Sequence, residues 1–455
     1  MIPRTRRAPS PSRAKLLALV ARAFFLLLAG APPAFADDPP GDPPNILLVI
    51  ADDLDPDHLG FCGNALAKTP NLDRLASQSV SFSVLRVQPV CRSTLATLLS
   101  GRWPHQTGIV NNLGESALAA SGALPERLRE RGYATYCGGK FWEGDHHAYG
   151  FTDPEVREER FAREKNGQDE LFRFLERHRE EPWFVWWAPS LPHVPHRAPS
   201  RFVSAFQRAA VPVRDGVSDR EGYVAAERAL LAMEAWLDDE LGKLVAKLDE
   251  LGEYEDTLVV FLADNGWSTA LSSKGTPFEK GIRSPLLVAL PGERRARRVE
   301  ALVDVVDVNA TLLEYAGVAA DGALHGRSLR RWLEGGSGPV REVLCGIAYC
   351  RDPDAGSGGL AYALHARDAR WKYVLYLKEL EGNELGSGGK LAPPLRAHAG
   401  QEALFDLAAD PFELRDLSAH EESGERMRSL RDSALEWLRA SDGSELAASV
   451  AAAVR

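Results

Sequence analysis

The chain has 455 residues, 45% of them hydrophobic and 26% charged, with a formal net charge of −10 at pH 7. It is long enough for a sizeable core, as two or three domains or as one large α/β domain with an appendage. The acidic balance lacks the basic footprint that nucleic acid requires, which excludes nucleic acid as the main partner.

The first 36 residues read as a signal peptide rather than as fold. Arg4, Arg6, Arg7, Arg13 and Lys15 precede an apolar stretch at 16–30, and Ala34-Phe35-Ala36 supplies a small-x-small cleavage site. Arg22 interrupts the apolar stretch and argues against a spanning helix, with a retained N-terminal anchor as the alternative. Export, periplasmic or secreted, implies an oxidising compartment. Setting Cys91 aside, Cys62, Cys137, Cys345 and Cys350 are enough for two bridges, and Cys345 and Cys350 are near enough for a local one.

A Pro/Gly-rich linker occupies 37–44, and NILLVIA (45–51) then reads as a strand buried on both faces. Helices are expected at 69–79, from about Cys91, at 123–132 and at 221–252, the last two closed by glycine. Further strands are expected at 133–138, 183–188, 257–264 and 285–291. Apolar strands alternating with helices predict an α/β fold, a mostly parallel mixed sheet sandwiched by helices. The basic run GERRARR (292–298) reads as a solvated loop. The main domain spans 45–338, and a smaller α+β C-terminal subdomain spans 339–440 with strands at 361–368 and 371–377 and a helix at 425–440. A loop at 382–390 and an Ala-rich tail at 441–455 read as flexible and disordered respectively.

Four of the strands run straight into a polar motif. The first ends in Asp52-Asp53, the second in Gly139-Lys140, the third in PSLPHVPH with His193 and His196, and the fourth in Asp264-Asn265-Gly266. Each alone is unremarkable: a cap, a surface lysine, a loop histidine, a tight turn. In open α/β sheets, sites form beyond the carboxyl ends of the strands, and parallel pairing would put all four along one edge. Asp52, Asp53, Asp264 and the Asn265 amide are hard oxygen donors that suit Ca²⁺ or Mg²⁺ rather than zinc. Lys140, His193 and Lys274 add groups that can hold an anion. Cys91, at the positive end of a helix, supplies a nucleophile, although a lone cysteine there is more often structural. Together these describe transfer of a tetrahedral oxyanion, sulfuryl or phosphoryl.

From about residue 44 to about 418 the chain resembles the type I sulfatases of the alkaline phosphatase-like superfamily. The resemblance is carried by NILLVIADDLDPDHLG, TPNLDRLASQSVSF, CRSTLATLLSGRWPHQTGI, PHVP, ADNG, KGTPFEKGIRSP, VVDVNATLLEYAGV and LFDLAADPFELRDL, in family order. It implies that Asp52, Asp53, Asp264 and Asn265 hold calcium. It also implies that Cys91, oxidised to formylglycine by a formylglycine-generating enzyme, is a further ligand and the nucleophile. Lys140 would orient the hydrated aldehyde, and His193 and Lys274 would bind sulfate and assist the leaving group. Glu279, Gly281 and Arg283 would form a supporting turn.

Two departures stand out. The family pattern C-x-P-S-R reads Cys91, Arg92, Ser93, Thr94, Leu95 here, and G-K-W-H reads Gly139-Lys140-Phe141-Trp142, with His146 and His147 following. Arg92 lies one helical turn before Leu95 and is expected to send its guanidinium toward the missing arginine's place beside Cys91. The resulting expectation is a calcium-dependent sulfatase acting on a sulfated small molecule or glycan. The alternatives are a phosphodiester or phosphonate-ester hydrolase on the same scaffold, and a catalytically silent binder of sulfated glycans.

Overall fold

Strands with no polar face form the centre of the molecule, because a sheet covered by helices on both sides offers no solvent for alternate residues to meet. In the computed structural model the main elements are β1 (Asn45–Ala51), α1 (Pro70–Ser77), β2 (Val80–Arg86), α2 (Cys91–Ser100), α3 (Leu124–Arg129) and β3 (Ala134–Gly139). They continue with α4 (Asp169–Arg177), β4 (Trp183–Ala188), α5 (Arg220–Leu251), β5 (Thr257–Ala263) and β6 (Arg283–Ser284). β7 (Leu286–Ala289), β8 (Arg297–Asp304) and α6 (Val305–Tyr315) complete the main body. The structure describes residues 43–114, 118–153, 168–213, 217–269, 271, 273–319, 324–351, 359–381, 396–441 and 443–453. The N-terminal segment 1–36, most of the linker and the loop at 382–390 lie outside these.

The strands order as β3-β4-β1-β5-β7-β2-β6, with β8 beside β2. β3, β4, β1 and β5 are mutually parallel, in a register that sets Gly139 opposite Ala188 and Ala51 opposite Ala263. β7 runs antiparallel to β5 and β2, so the sheet is mixed but mostly parallel, as expected. Alternate residues of β1 serve two cores. Ile46, Leu48 and Ile50 meet Leu95, Leu98 and Leu99 of α2, whereas Leu47 and Val49 meet Leu237, Leu241 and Leu244 of α5. Truncating one such leucine to alanine costs about 2–5 kcal/mol, since the packed surroundings relax only in part. α5 starts where Asp219 accepts from the Gly222 amide and stops at Gly252, which takes the left-handed conformation at φ 75°.

One segment of the main body differs from its reading. The basic run at 292–298 is partly structural: Arg294 stacks on the Tyr254 ring, 4.3 Å from its centroid, and Arg297 opens β8. Periodicity hid this strand because it begins with two arginines.

A smaller antiparallel sheet follows. Its elements are β9 (Leu344–Arg351), β10 (Gly359–Arg367), β11 (Trp371–Tyr376) and β12 (Glu402–Asp406), with helices α7 (Ser423–Ala440) and α8 (Ser444–Ala453). One face of this sheet, including Leu364, Ala366 and Tyr373, packs on Leu430, Ala434 and Leu438 of α7. The other face, including Ala348, Tyr362 and Val374, receives Phe278. The Ala-rich tail, expected to be disordered, is instead helical over Ser444–Ala453 and buries Ala447 and Val450 in the same cluster as α7. The local bridge that Cys345 and Cys350 are near enough in sequence to make is absent. Cys345 and Cys350 stand five residues apart on β9, which puts them on opposite faces, and the Cys350 thiol donates to the Leu360 carbonyl at 3.6 Å.

Candidate active site

Parallel pairing of β3, β4, β1 and β5 brings their four polar extensions to one edge. β1 ends in Asp52 and Asp53, and Asp53 turns the chain at φ 66°, a left-handed conformation that aspartate tolerates better than most residues. The Asp53 amide donates to Asp264 Oδ1 at 3.1 Å, and the Asn265 carbonyl accepts from the Leu54 amide at 3.1 Å, tying the β1 and β5 extensions together. Lys140 follows Gly139, whose φ of 88° and closeness to the Ala188 carbonyl leave no room for a side chain: a Cβ there would lie 2.2 Å from that oxygen.

Helix α2 enters this edge with its N-terminus. Cys91 is its first residue, and the side chains from Cys91 to Leu99 are all buried. Cys91 Sγ lies 3.5 Å from Asp52 Oδ1 and 3.9 Å from Asp53 Oδ1. Ligand atoms of Asp52, Asp53, Cys91 and Asp264 all fall within 4.8 Å of one another. Asn265 Nδ2 donates to Asp53 Oδ1 at 2.7 Å. Lys140 Nζ reaches Asp52 Oδ1 at 2.7 Å and Asp264 Oδ2 at 3.5 Å. Lys274 Nζ reaches Asp53 Oδ1 at 2.5 Å and Cys91 Sγ at 3.0 Å. His193 Nε2 stands 3.6 Å from Asp53 Oδ2, while its Nδ1 bonds the Val194 carbonyl at 2.6 Å. A carbonyl only accepts, so Nδ1 is the donor and Nε2 is the ring nitrogen that faces the site. All nine residues expected at the site except Arg92 are thus within reach of one another.

Burial sets the electrostatics. It opposes ionisation of Asp52, but Lys140, His193 and Lys274 outweigh it and hold that carboxyl at about 2. Asp264 moves the other way, to about 7, because burial and the neighbouring Asp52 charge prevail over Lys140. Burial and Asp264 push the Cys91 thiol well above its ordinary range despite Lys274 and Lys140, so it stays protonated. Burial disfavours the Lys140 ammonium, yet the neighbouring Asp52 carboxylate prevails and raises it well above the ordinary lysine range.

The donor set fits a hard divalent cation. Asp53 Oδ2 and Asn265 Oδ1 are buried acceptors that accept no hydrogen bond within the protein, and both belong to this group. Buried oxygens left in that condition are costly, and a cation ligated by them removes the cost. The donors are three carboxylates, an amide oxygen and the residue at position 91, without the His/Cys grouping that zinc favours.

Arg92 is the correction. Its guanidinium does not turn toward Cys91. Nε and Nη2 pair with Glu143 at 2.9 and 3.0 Å, and Nη1 donates to the Leu113 and Gly114 carbonyls at 2.6 and 3.0 Å. A fully buried guanidinium needs a carboxylate, and Glu143, three residues after Lys140, provides it. Leu95, in the position of the family arginine, packs in the core instead. Sequence reasoning missed Glu143, and also Asp55 and Asp57, which take Lys280 Nζ at 2.5 Å each and brace the turn after Lys274. The signal for the latter was the acidic spacing in DDLDPDH. Glu279 accepts from Arg367 at 2.6 Å and Lys372 at 2.9 Å, and a Cβ on Gly281 would lie 2.2 Å from the Ser273 carbonyl.

Residues 44–318 match the family model described as Sulfatase. The chain belongs to the sulfatase family. Residues 270–386 of this sulfatase-family chain also match the model described as N-sulphoglucosamine sulphohydrolase, C-terminal. N-acetylgalactosamine-6-sulfatase of Rattus norvegicus is 28% identical over 374 residues, covering 67% of this chain and 66% of that enzyme, so the chain spans about two thirds of its relative. A solved structure of a protein in complex with D-glucosamine-2-N,6-O-disulfate shares the fold at a TM-score of 0.72 and 17% identity, covering 89% of this chain and 99% of that one. The phosphonate monoester hydrolase of Agrobacterium radiobacter shares it at a TM-score of 0.70 and 21% identity, covering 87% and 95% respectively. Among the described residues, no helix is long and apolar enough to cross a membrane.

Proposed function

We propose that this chain is an exported sulfatase that hydrolyses a sulfate ester of a carbohydrate, using calcium held by Asp52, Asp53, Asp264, Asn265 and the residue at position 91. The observation that carries the reading is the Lys274 ammonium, 3.0 Å from Cys91 Sγ and 2.5 Å from Asp53 Oδ1, at the centre of a buried oxygen-donor cluster. A cation site and a fixed ammonium around one nucleophile position suit a substrate that brings negative charge. The carbohydrate follows from the names of its kin: one relative is named for an acetylated amino sugar, and one structural neighbour holds a disulfated glucosamine.

Each residue has a part. Lys140 and Lys274 bind the sulfate oxygens and offset charge that builds on them as the ester bond breaks. His193 Nε2, when protonated, donates to the departing alcohol oxygen. Calcium supplies Lewis-acid polarisation and balances the three carboxylates. A buried, protonated thiol is a poor nucleophile, which gives oxidation of Cys91 to formylglycine, by a formylglycine-generating enzyme, its chemical purpose. The basic and apolar segment at 4–30 supports export.

The test is release of product from an aryl sulfate and an aryl phosphonate ester in parallel, with calcium present, together with sulfated mono- and disaccharides. Turnover of the sulfate esters, lost in Cys91→Ala, is expected. Preferential cleavage of the phosphonate ester would replace this reading with the phosphonate-ester one. Binding of sulfated sugar without any release would replace it with a silent binder.

A further inference from the structure

Lys274 stands on a segment that the large sheet does not hold alone. The next residue, Gly275, has φ 84° and is fixed on both sides. Its amide donates to the Pro89 carbonyl at 2.7 Å, two residues before Cys91, and its carbonyl accepts from Tyr362 Oη at 2.7 Å. Tyr362 is fully buried and belongs to β10 of the C-terminal sheet, 87 residues away in sequence.

A fault in that sheet aims the tyrosine. Tyr349 of β9 pairs with Ala361 and its neighbour Ala348 with Ala363, so Tyr362 is the extra residue of a β-bulge. Side chains alternate between faces along a regular strand, but a bulge breaks the alternation. Tyr362 and Ala363 accordingly lie in one cluster, on the face that meets Phe278 of the segment following Lys274. The phenol stays protonated, since burial pushes it well above its ordinary range, and it acts as a constant donor.

Resting on the reading of the site proposed above, we infer that Tyr362 is a positioning residue for Lys274. Its hydroxyl fixes the Gly275 carbonyl, and thereby sets where the Lys274 ammonium stands between Asp53 and Cys91. Removing the hydroxyl leaves a buried carbonyl without its donor, and the segment can recover one only by turning, which carries Lys274 with it. Through this contact the C-terminal sheet takes part in the geometry of the catalytic edge.

Tyr362→Phe removes one oxygen and keeps the packing. Tyr373→Phe is its control, a hydroxyl from the opposite face of the same sheet that bonds Glu402 Oε1 at 2.5 Å. The measurements are kcat and KM on an aryl sulfate, the unfolding midpoint, and crystal structures of both variants. For Tyr362→Phe, kcat is expected to fall on the order of 10- to 100-fold, as displacement of a catalytic group does, with KM changing less. The two midpoints should fall alike, and Lys274 Nζ should shift away from Asp53 and Cys91 only in Tyr362→Phe. A kcat matching that of Tyr373→Phe, or a loss of kcat with Lys274 unmoved, overturns the inference. If the unaltered chain turns over no sulfate ester, the reading of the site fails by itself, and the position of Lys274 in the two crystal structures decides the inference.

Discussion

Two of the buried-charge clusters in this fold are completed differently. At the turn after Lys274, Glu279 and Glu413 face Arg367 and Lys372, two carboxylates against two cations, and the Glu279 carboxylate takes a bond from each cation. Burial opposes ionisation of Glu279, but Arg367 and Lys372 prevail and hold its carboxyl well below the usual range. At the sheet edge, three carboxylates face the ammonium groups of Lys140 and Lys274, and two buried oxygens accept nothing from the protein. A buried cluster that balances its own charge needs nothing further and serves the fold. One in which carboxylates outnumber ammonium groups suits completion by a cation from outside.

Breaking each cluster should therefore give opposite signatures. The largest effect is expected from Cys91→Ala, which should lower aryl sulfate turnover on the order of 10⁴-fold or more while leaving the unfolding midpoint nearly unchanged. Glu279→Gln should do the reverse. Leaving Arg367 and Lys372 underpaired is expected to cost about 3–5 kcal/mol in urea unfolding, with calcium affinity in equilibrium dialysis little altered. Lys274→Ala should lower kcat on the order of 10²- to 10³-fold, the scale of losing one preorganised charge donor. The smallest effect is on stability. Calcium at a hundredfold excess over its dissociation constant should add about 2.7 kcal/mol, removed by a chelator and absent in Asp53→Asn. A chelator that left both the unfolding midpoint and turnover unchanged would show that the sheet-edge cluster needs no ion.

The contrast also explains what was legible in the sequence. The candidate site at the sheet edge was readable because each of four apolar strands announces itself and hands over at once to its polar motif, so contiguity in sequence became contiguity in space. Arg92 was not readable, because its partner Glu143 is 51 residues away and a loop brings it there. The same holds for the Glu279 cluster, whose cations come from β10 and β11, 88 and 93 residues downstream. The helix at Ser444–Ala453 was missed for a related reason. Its alanines carry little hydrophobic signal of their own and gain their place by packing in the cluster around α7.

The central claim is that position 91 carries the chemistry as an oxidised cysteine, although the residues after it depart from the family pattern. Mass spectrometry of the tryptic peptide VQPVCR (87–92), from protein made in its native host, tests this most directly. A peptide that has lost its sulfur and gained an aldehyde is expected. A peptide with the thiol intact in all molecules of an active preparation would contradict the claim.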